Sequence, residues 1–300
     1  MFIGLRRFNL IQNIMILVTG ANGHLGKSTI NHLSRQIEAD KITGLVRDPK
    51  KSEELIELGI DVRFADYEDT DSLRKAFTGI RKLVLISSPS QHATEDHKNV
   101  IDVAKEIGIE HIFYTSGLVA DCNNNCLLPL MQPHVETEKY ILESNTPYTI
   151  LRNTMYYELI PELIGEDINV TGINFPAQDG KFSCALRDEL GEALANVVAN
   201  KTIEHKNKIY DLAGTQSYSF HNVAELLSKT LGKDIIYNSP EKEDFKAFLQ
   251  HLGLPKDAIW FADLFGSAIS NGDFDVPSPT LAKLLGRAPL DLEGFLRKVY

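Results

Sequence analysis

Residues 16–26 read ILVTGANGHLG. A short apolar run ends in glycine, and Gly20, Gly23 and Gly26 then recur at G-x-x-G-x-x-G spacing. A helical pattern follows at Leu25, Ile30, Leu33 and Ile37. Strand, glycine turn and helix in that order predict a dinucleotide-binding turn. Gly20 permits the tight bend, Gly23 lets backbone approach a pyrophosphate, and Gly26 lets the helix pack close to the sheet. The helix N-terminus offers unpaired N–H groups to the anion. Gly20, Ala21, Asn22, Gly23, His24, Leu25 and Gly26 are therefore expected along the cofactor.

Outward from this turn, apolar runs alternate with amphipathic stretches. Strands are predicted at 14–19, 42–46, 62–65, 83–86, 111–114 and 148–151. Helices fall between them at 52–58, 70–77, 97–107 and 135–143. This rhythm is that of βαβ units in a parallel sheet covered on both faces. The fold class is α/β: a Rossmann-type, doubly wound parallel sheet with a smaller C-terminal α/β part for the substrate. Past Asn153 the rhythm breaks. Strands are predicted at 168–175 and 208–212, and helices at 222–231, 243–252 and 279–285. The division expected is 15–155 for the NADP-binding domain and 156–300 for the substrate part, with a strand near 208–213 returning to the main sheet.

Residues 1–14, MFIGLRRFNLIQNI, read as a frayed or non-native extension before a start at Met15. Cleavage after a secretory signal there would remove the strand that the glycine turn requires. The chain of 300 residues carries 31 basic and 41 acidic side chains, a formal charge of −10, which argues against a protein that coats nucleic acid. No apolar stretch approaches the roughly 20 residues of a membrane span. Three cysteines, Cys122, Cys126 and Cys184, are too few for a disulfide framework and point to the reducing cytoplasm. Cys122 and Cys126 are spaced C-x₃-C, but without a convincing fourth ligand no metal site is expected.

The end of the second strand selects the dinucleotide. In GLVRDPKK (44–51), Arg47 stands where an NAD site would carry an acidic residue for the ribose 2′-OH. A guanidinium grips a 2′-phosphate that a carboxylate would repel, so NADP(H) is favoured, although Asp48 follows immediately. Asp66 and Tyr67 end the third strand, and Ser87 and Ser88 the fourth. Each pair is either cofactor-lining or ordinary turn chemistry.

Together, the glycine turn, the Arg47 strand end, HKNVIDVAKEIGIEHIFYTS (97–116), HVETEK (134–139) and YTILRNTMYYE (148–158) resemble the NmrA-like branch of the atypical short-chain dehydrogenase/reductases. Within it, they are similar to bacterial NADPH:quinone oxidoreductases. The likeness extends through KIYDLAG (208–214) to the C-terminus, more loosely over the last third. Typical short-chain dehydrogenases use Tyr-x-x-x-Lys with the tyrosine as general acid. Here Lys139 takes the lysine position, and Val135 stands where the phenol would be.

That departure disfavours sugar-nucleotide epimerisation and alcohol oxidation, which need a base at a hydroxyl. Quinone reduction asks mainly for positioning and electrostatics. The resemblance implies NADPH-dependent hydride transfer to a quinone-like small molecule, without flavin or metal; the runner-up is a redox sensor that binds NADP(H) and a protein partner. A homodimer is also open. By the same resemblance Lys139 holds the nicotinamide ribose. Thr115, Ser116 and Asn153 border the nicotinamide, Tyr156 or its neighbour Tyr157 stacks on the acceptor, and His134 donates or relays a proton.

Overall fold

The computed structural model describes residues 14–121, 125–165, 168–200 and 202–300. The first half alternates β1 (Ile16–Val18), α1 (His24–Leu33), β2 (Ile42–Val46), α2 (Glu53–Glu57), β3 (Asp61–Phe64), α3 (Thr70–Ala76), β4 (Lys82–Ile86), α4 (Ala93–Ile107), β5 (His111–Gly117), α5 (Leu128–Glu143) and β6 (Tyr148–Asn153). These strands, with Lys208–Leu212, make a seven-stranded sheet in the order Lys208–Leu212, β6, β5, β4, β1, β2, β3. All its pairings are parallel. Strand order reverses between β1 and β4, which creates the crevice where open α/β sheets bind ligands. Ile16, Leu17 and Val18 are buried on both faces, as a central parallel strand requires.

One face of the sheet packs against α1 and a later helix, Arg187–Ala199; the other is covered by α3, α4 and Ile141 of α5. A third cluster fills the C-terminal part around Phe175, Phe182, Phe220 and Phe265, and reaches back to Met131 and Leu127. The second half therefore supplies both a strand and a helix to the nucleotide-binding layers, and packing does not divide at 155/156. The seam is close: a Cβ on Gly191 would lie 2.3 Å from Ser28 Oγ, and Ser28 donates to Asp188 Oδ1 at 2.8 Å.

Three elements differ from expectation. Residues 168–175 form one helical turn, Ile168–Thr171, and then the two-residue strand Ile173–Asn174. Gly172 takes φ +67° there, and a Cβ on it would lie 2.5 Å from the Ile236 carbonyl oxygen, so the β-branched run cannot continue extended. Helix α5 starts at Leu128 instead of 135: Pro129 fits its first turn, where no intrahelical donor is needed, and Pro133 stands inside the helix, giving up the hydrogen bond to the Pro129 carbonyl. Arg187–Ala199, Lys256–Asn271 and Leu292–Val299 are further helices. The proposed extension lies outside the described residues except for Ile14. Among the described residues no helix is long and apolar enough to cross a membrane.

Candidate functional site

A cleft of about 350 Å³ opens beyond the carboxyl ends of β1 to β4, spanning the switch point. Gly20, Ala21, Asn22 and Gly23 form one wall; Arg47, Asp66, Tyr67, Ser87 and Ser88 lie on the others. The turn is locked to both neighbouring strands. Ala21 N–H donates to the Leu45 carbonyl (3.2 Å), and Thr19 Oγ1 accepts from Ile86 N–H (3.0 Å). Gly20 adopts φ +57°, which other residues rarely take. A Cβ on Gly26 would sit 2.2 Å from the Gly20 carbonyl oxygen, so Gly26 closes the turn upon itself. Gly23 is less constrained, with 3.2 Å to that oxygen, and its N–H is already given to Gly20 (2.9 Å). His24, Leu25 and Gly26 form the start of α1 and do not line the cleft; His24 is exposed, and Leu25 and Gly26 are buried. Asn22 Oδ1 is buried and has no hydrogen-bond partner among the described residues.

Arg47 is exposed and is the one cation among the described residues lining the cleft. Asp48 Oδ1 accepts from Lys50 N–H (3.0 Å) and caps the turn Pro49–Lys51, so this carboxylate is engaged locally. Asp66 likewise accepts from Glu68 N–H (3.1 Å) while lining the cleft. The Tyr67 phenol lies by Thr19, and burial raises its pKa. Asp96 also lines the cleft; it comes from α4, where no local pattern marks it.

The ends of β4 and β5 are joined by a polar chain. Thr115 Oγ1 accepts from Ser87 N–H (3.0 Å). Ser88 N–H donates to His97 Nε2 (2.9 Å), so the remaining His97 proton sits on Nδ1, 2.8 Å from Thr137 Oγ1. Burial pushes His97 down to about 3, with His134 adding repulsion. Thr115 and His97 thus set the positions of the cleft serines from behind.

Helix α5 turns differently from the expectation for Lys139. Met131, Thr137, Glu138 and Ile141 are its buried residues, and Lys139, about 100° further round than Glu138, falls on the solvent side. Its side chain is 76% exposed and its ammonium lies 3.9 Å from Glu143. It does not reach the cleft, so the assignment to the ribose is corrected. Glu138 faces the sheet instead. It accepts Ser116 Oγ–H at 2.6 Å and a bidentate pair from Arg152, at 2.9 and 2.6 Å. Ser116 is therefore committed to a part-buried ion pair.

His134 lies one turn before Glu138 on the same side. Its Nδ1 is 3.0 Å from the Tyr114 hydroxyl, and burial pushes it down to about 4. With Tyr114 donating, the proton of the neutral ring sits on Nε2. Gly117 leaves space chiefly for Met131 and also for that ring, since a Cβ there would lie 2.8 Å from Met131 Sδ and 3.3 Å from His134 Cδ2.

Asn153 ends β6 with Oδ1 buried and without a partner among the described residues. Arg187 covers one face of Tyr156, 4.6 Å from the ring centroid, which leaves at most the other face for an acceptor. Tyr157 is a core residue stacked on Phe295 at 5.2 Å, so the alternative stacking role for it is corrected. Cys126 N–H donates to Asp273 Oδ2 (2.7 Å); Cys122 lies outside the described residues. Among the described residues no group of three metal-ligating side chains converges.

A family model described as the NmrA-like family matches residues 12–286. Quinone oxidoreductase 2 of Escherichia coli strain K12 is 38% identical over 279 residues, covering 91% of this chain and 94% of that protein. A crystal structure of an NADPH-dependent quinone oxidoreductase from Escherichia coli, complexed with NADPH, superposes with TM-score 0.88 at 35% identity over 95% of this chain and 99% of the other. The Citrobacter sp. triphenylmethane reductase complexed with NADP(H) gives TM-score 0.88 at 32% identity, over 96% and 100%. Sheet order, glycine turn and full-length likeness agree, and the chain belongs to the NmrA-like family.

Proposed function

We propose that this protein reduces quinones, or similarly electron-poor carbonyl compounds, with NADPH by direct hydride transfer in the cytoplasm, without flavin or metal. The observation that carries the reading is the cleft: a glycine turn locked to β2 and β4, with a single exposed guanidinium, Arg47, at its mouth. The residues present fit a phosphorylated dinucleotide. Asn22 Oδ1 is a buried acceptor awaiting a donor, and Asp48 is held by its own turn instead of opposing a 2′-phosphate. The full-length likeness to an NADPH-complexed quinone oxidoreductase supports the same choice.

Bound NADPH would supply the hydride. The chain's own groups then do the remaining work. The helix start at Gly23 orients the pyrophosphate, Asn22 Oδ1 accepts from a hydroxyl of the dinucleotide, Arg47 holds the 2′-phosphate, and Ser87 and Ser88 border the ribose. Asn153 Oδ1, at the end of β6, is available to the nicotinamide side. His134 is held neutral by burial; in the tautomer where Tyr114 donates to its Nδ1, its Nε2–H serves as hydrogen-bond donor to the oxygen of the acceptor that gains negative charge. Tyr156 stacks on the aromatic acceptor with the face that Arg187 does not cover.

The test is oxidation of NADPH by purified, chelator-treated, flavin-free protein with a panel of quinones, followed by absorbance of the reduced cofactor. Quinone-dependent turnover is expected, with NADPH preferred over NADH. Arg47→Ala should raise KM for NADPH about 10- to 100-fold and leave that for NADH nearly unchanged, the size of a lost charge-assisted contact. Tight NADPH binding with no quinone-dependent oxidation would remove the enzyme reading and leave a redox sensor.

A further inference from the structure

A second cavity, of about 280 Å³, lies at the opposite end of the sheet, beside the amino ends of β4 and β5. Phe113 and Val197 give it an apolar floor and Ile203 an exposed lip, while Lys82, His111 and Lys206 supply positive or protonatable groups. Lys82 is half-buried: its ammonium donates to the Val198 carbonyl (2.7 Å) and lies 5.7 Å from the Phe113 ring centroid. Burial lowers its pKa. His111 stacks on Phe113 at 4.1 Å and gives its Nε2 to Thr149 Oγ1 (2.8 Å), whose own proton goes to the His205 carbonyl. Burial pushes His111 down to about 4, and Lys82, Lys206 and His205 all add to the shift. Their fields therefore converge on one small volume.

Among the described residues no carboxylate forms an ion pair with Lys82, His111 or Lys206; the nearby Glu204 contacts His205 (3.2 Å) and Asn200 (3.2 Å). The thirteen residues before Ile14 contain Arg6 and Arg7 and no acid, so their side chains offer no neutralising charge. Lys82 is held in place by the Val198 carbonyl and the Phe113 ring, neither of which cancels its charge, so an anion entering the cavity gains from it and from Lys206. A concave apolar pocket with a few convergent polar groups is also what binds small organic molecules.

We infer that this cavity binds a small aromatic monoanion, an aryl carboxylate or sulfonate, with its acid group beside Lys82 and Lys206 and its ring against Phe113 and Val197. The site is separate from the dinucleotide cleft and does not depend on the proposed reaction. It is reached from the other end of the same strand, because β4 carries Lys82 at its start and leads to Ser87 and Ser88 at its end.

The test is a fluorescence titration of the full-length protein with anilinonaphthalene sulfonate, in the presence of saturating NADP+. One saturable site is expected. Lys82→Met should weaken it about 10-fold or more, and Lys206→Ala about 3- to 10-fold, as for loss of one charged contact. Lys82→Arg should retain most of the affinity, and the uncharged phenylnaphthylamine should bind at least 10-fold more weakly than the sulfonate. Equal affinity in wild type and both charge-removing variants overturns the inference, as does a neutral compound that binds as tightly. If Lys82→Met fails to fold, the exposed Lys206→Ala and the neutral compound decide alone.

Discussion

The glycine turn and helix α5 border the same end of the sheet, yet they are built on opposite principles. The turn is backbone: Gly20 at positive φ, Gly26 against the Gly20 carbonyl, and hydrogen bonds to Leu45 and Ile86 hold it. Its shape follows from a few adjacent residues. Helix α5 is side chain: His134, Thr137 and Glu138 reach Tyr114, His97, Ser116 and Arg152, all distant in sequence. A backbone site tolerates no added atom where it closes on itself, as at Gly26, whereas a side-chain site tolerates changes on its outer face and fails when an inward partner is lost.

The largest expected effect breaks the backbone side of that contrast. Gly26→Val places atoms far inside van der Waals contact with the Gly20 carbonyl oxygen, and should cost about 3 kcal/mol or more together with nearly all NADPH affinity. Urea unfolding and equilibrium binding measure both. Gly23→Ala, with 3.2 Å available, should cost far less stability. Equal damage from the two would contradict the assignment of Gly26 as the closing residue.

On the helix, Glu138→Ala removes the acceptor of three hydrogen bonds from Ser116 and Arg152. A loss of about 2–4 kcal/mol is expected, and Glu138→Gln should recover part of it. A wild-type melting temperature for Glu138→Ala would show that the part-buried pair contributes nothing.

Acid probes the same region. His97 and His134 are held neutral, near 3 and 4 in the folded chain against 6.5 as the ordinary value. Because folding lowers both, the unfolded chain binds more protons below about pH 6.5, and stability falls as pH falls from there to about 4. Each contributes a slope of up to about 1.4 kcal/mol per pH unit. Urea midpoints across that range should show the decline, and His97→Gln should flatten it. An unchanged slope in that variant would mean the proton uptake lies elsewhere.

The smallest effect is the most discriminating. Lys139→Ala should shift stability by less than about 0.5 kcal/mol, because its partner Glu143 is an exposed neighbour one turn away. It should also leave KM for NADPH unchanged. A tenfold rise in that KM would restore Lys139 to the ribose and require α5 to rotate when the cofactor binds.

What could be read from the chain alone tracks the range of the interactions involved. The turn, the strands either side of the switch point and the placement of Arg47 at the end of β2 were legible, because each rests on a local pattern of glycine, apolar runs and capping residues. Asp96, the Ser116–Glu138–Arg152 cluster and the helix Arg187–Ala199 beside α1 were not. Glu138 and Lys139 are adjacent, both charged, and equally plausible as the inward residue on a helix of unstated phase. Only packing of Met131, Thr137 and Ile141 against the core turns one inward and the other to solvent. The same holds for Tyr156 and Tyr157, which alternate faces until Phe295 and Arg187 claim one each.

By itself, then, the sequence determined the doubly wound sheet and the cofactor turn, since backbone dihedrals and hydrophobic period are properties of short segments. Tertiary structure decided which charges face inward, which tyrosine is core, and that Lys82, His111 and Lys206 meet at the far end of the sheet. Those choices depend on helix phase and on strand neighbours that are adjacent in space but far apart along the chain.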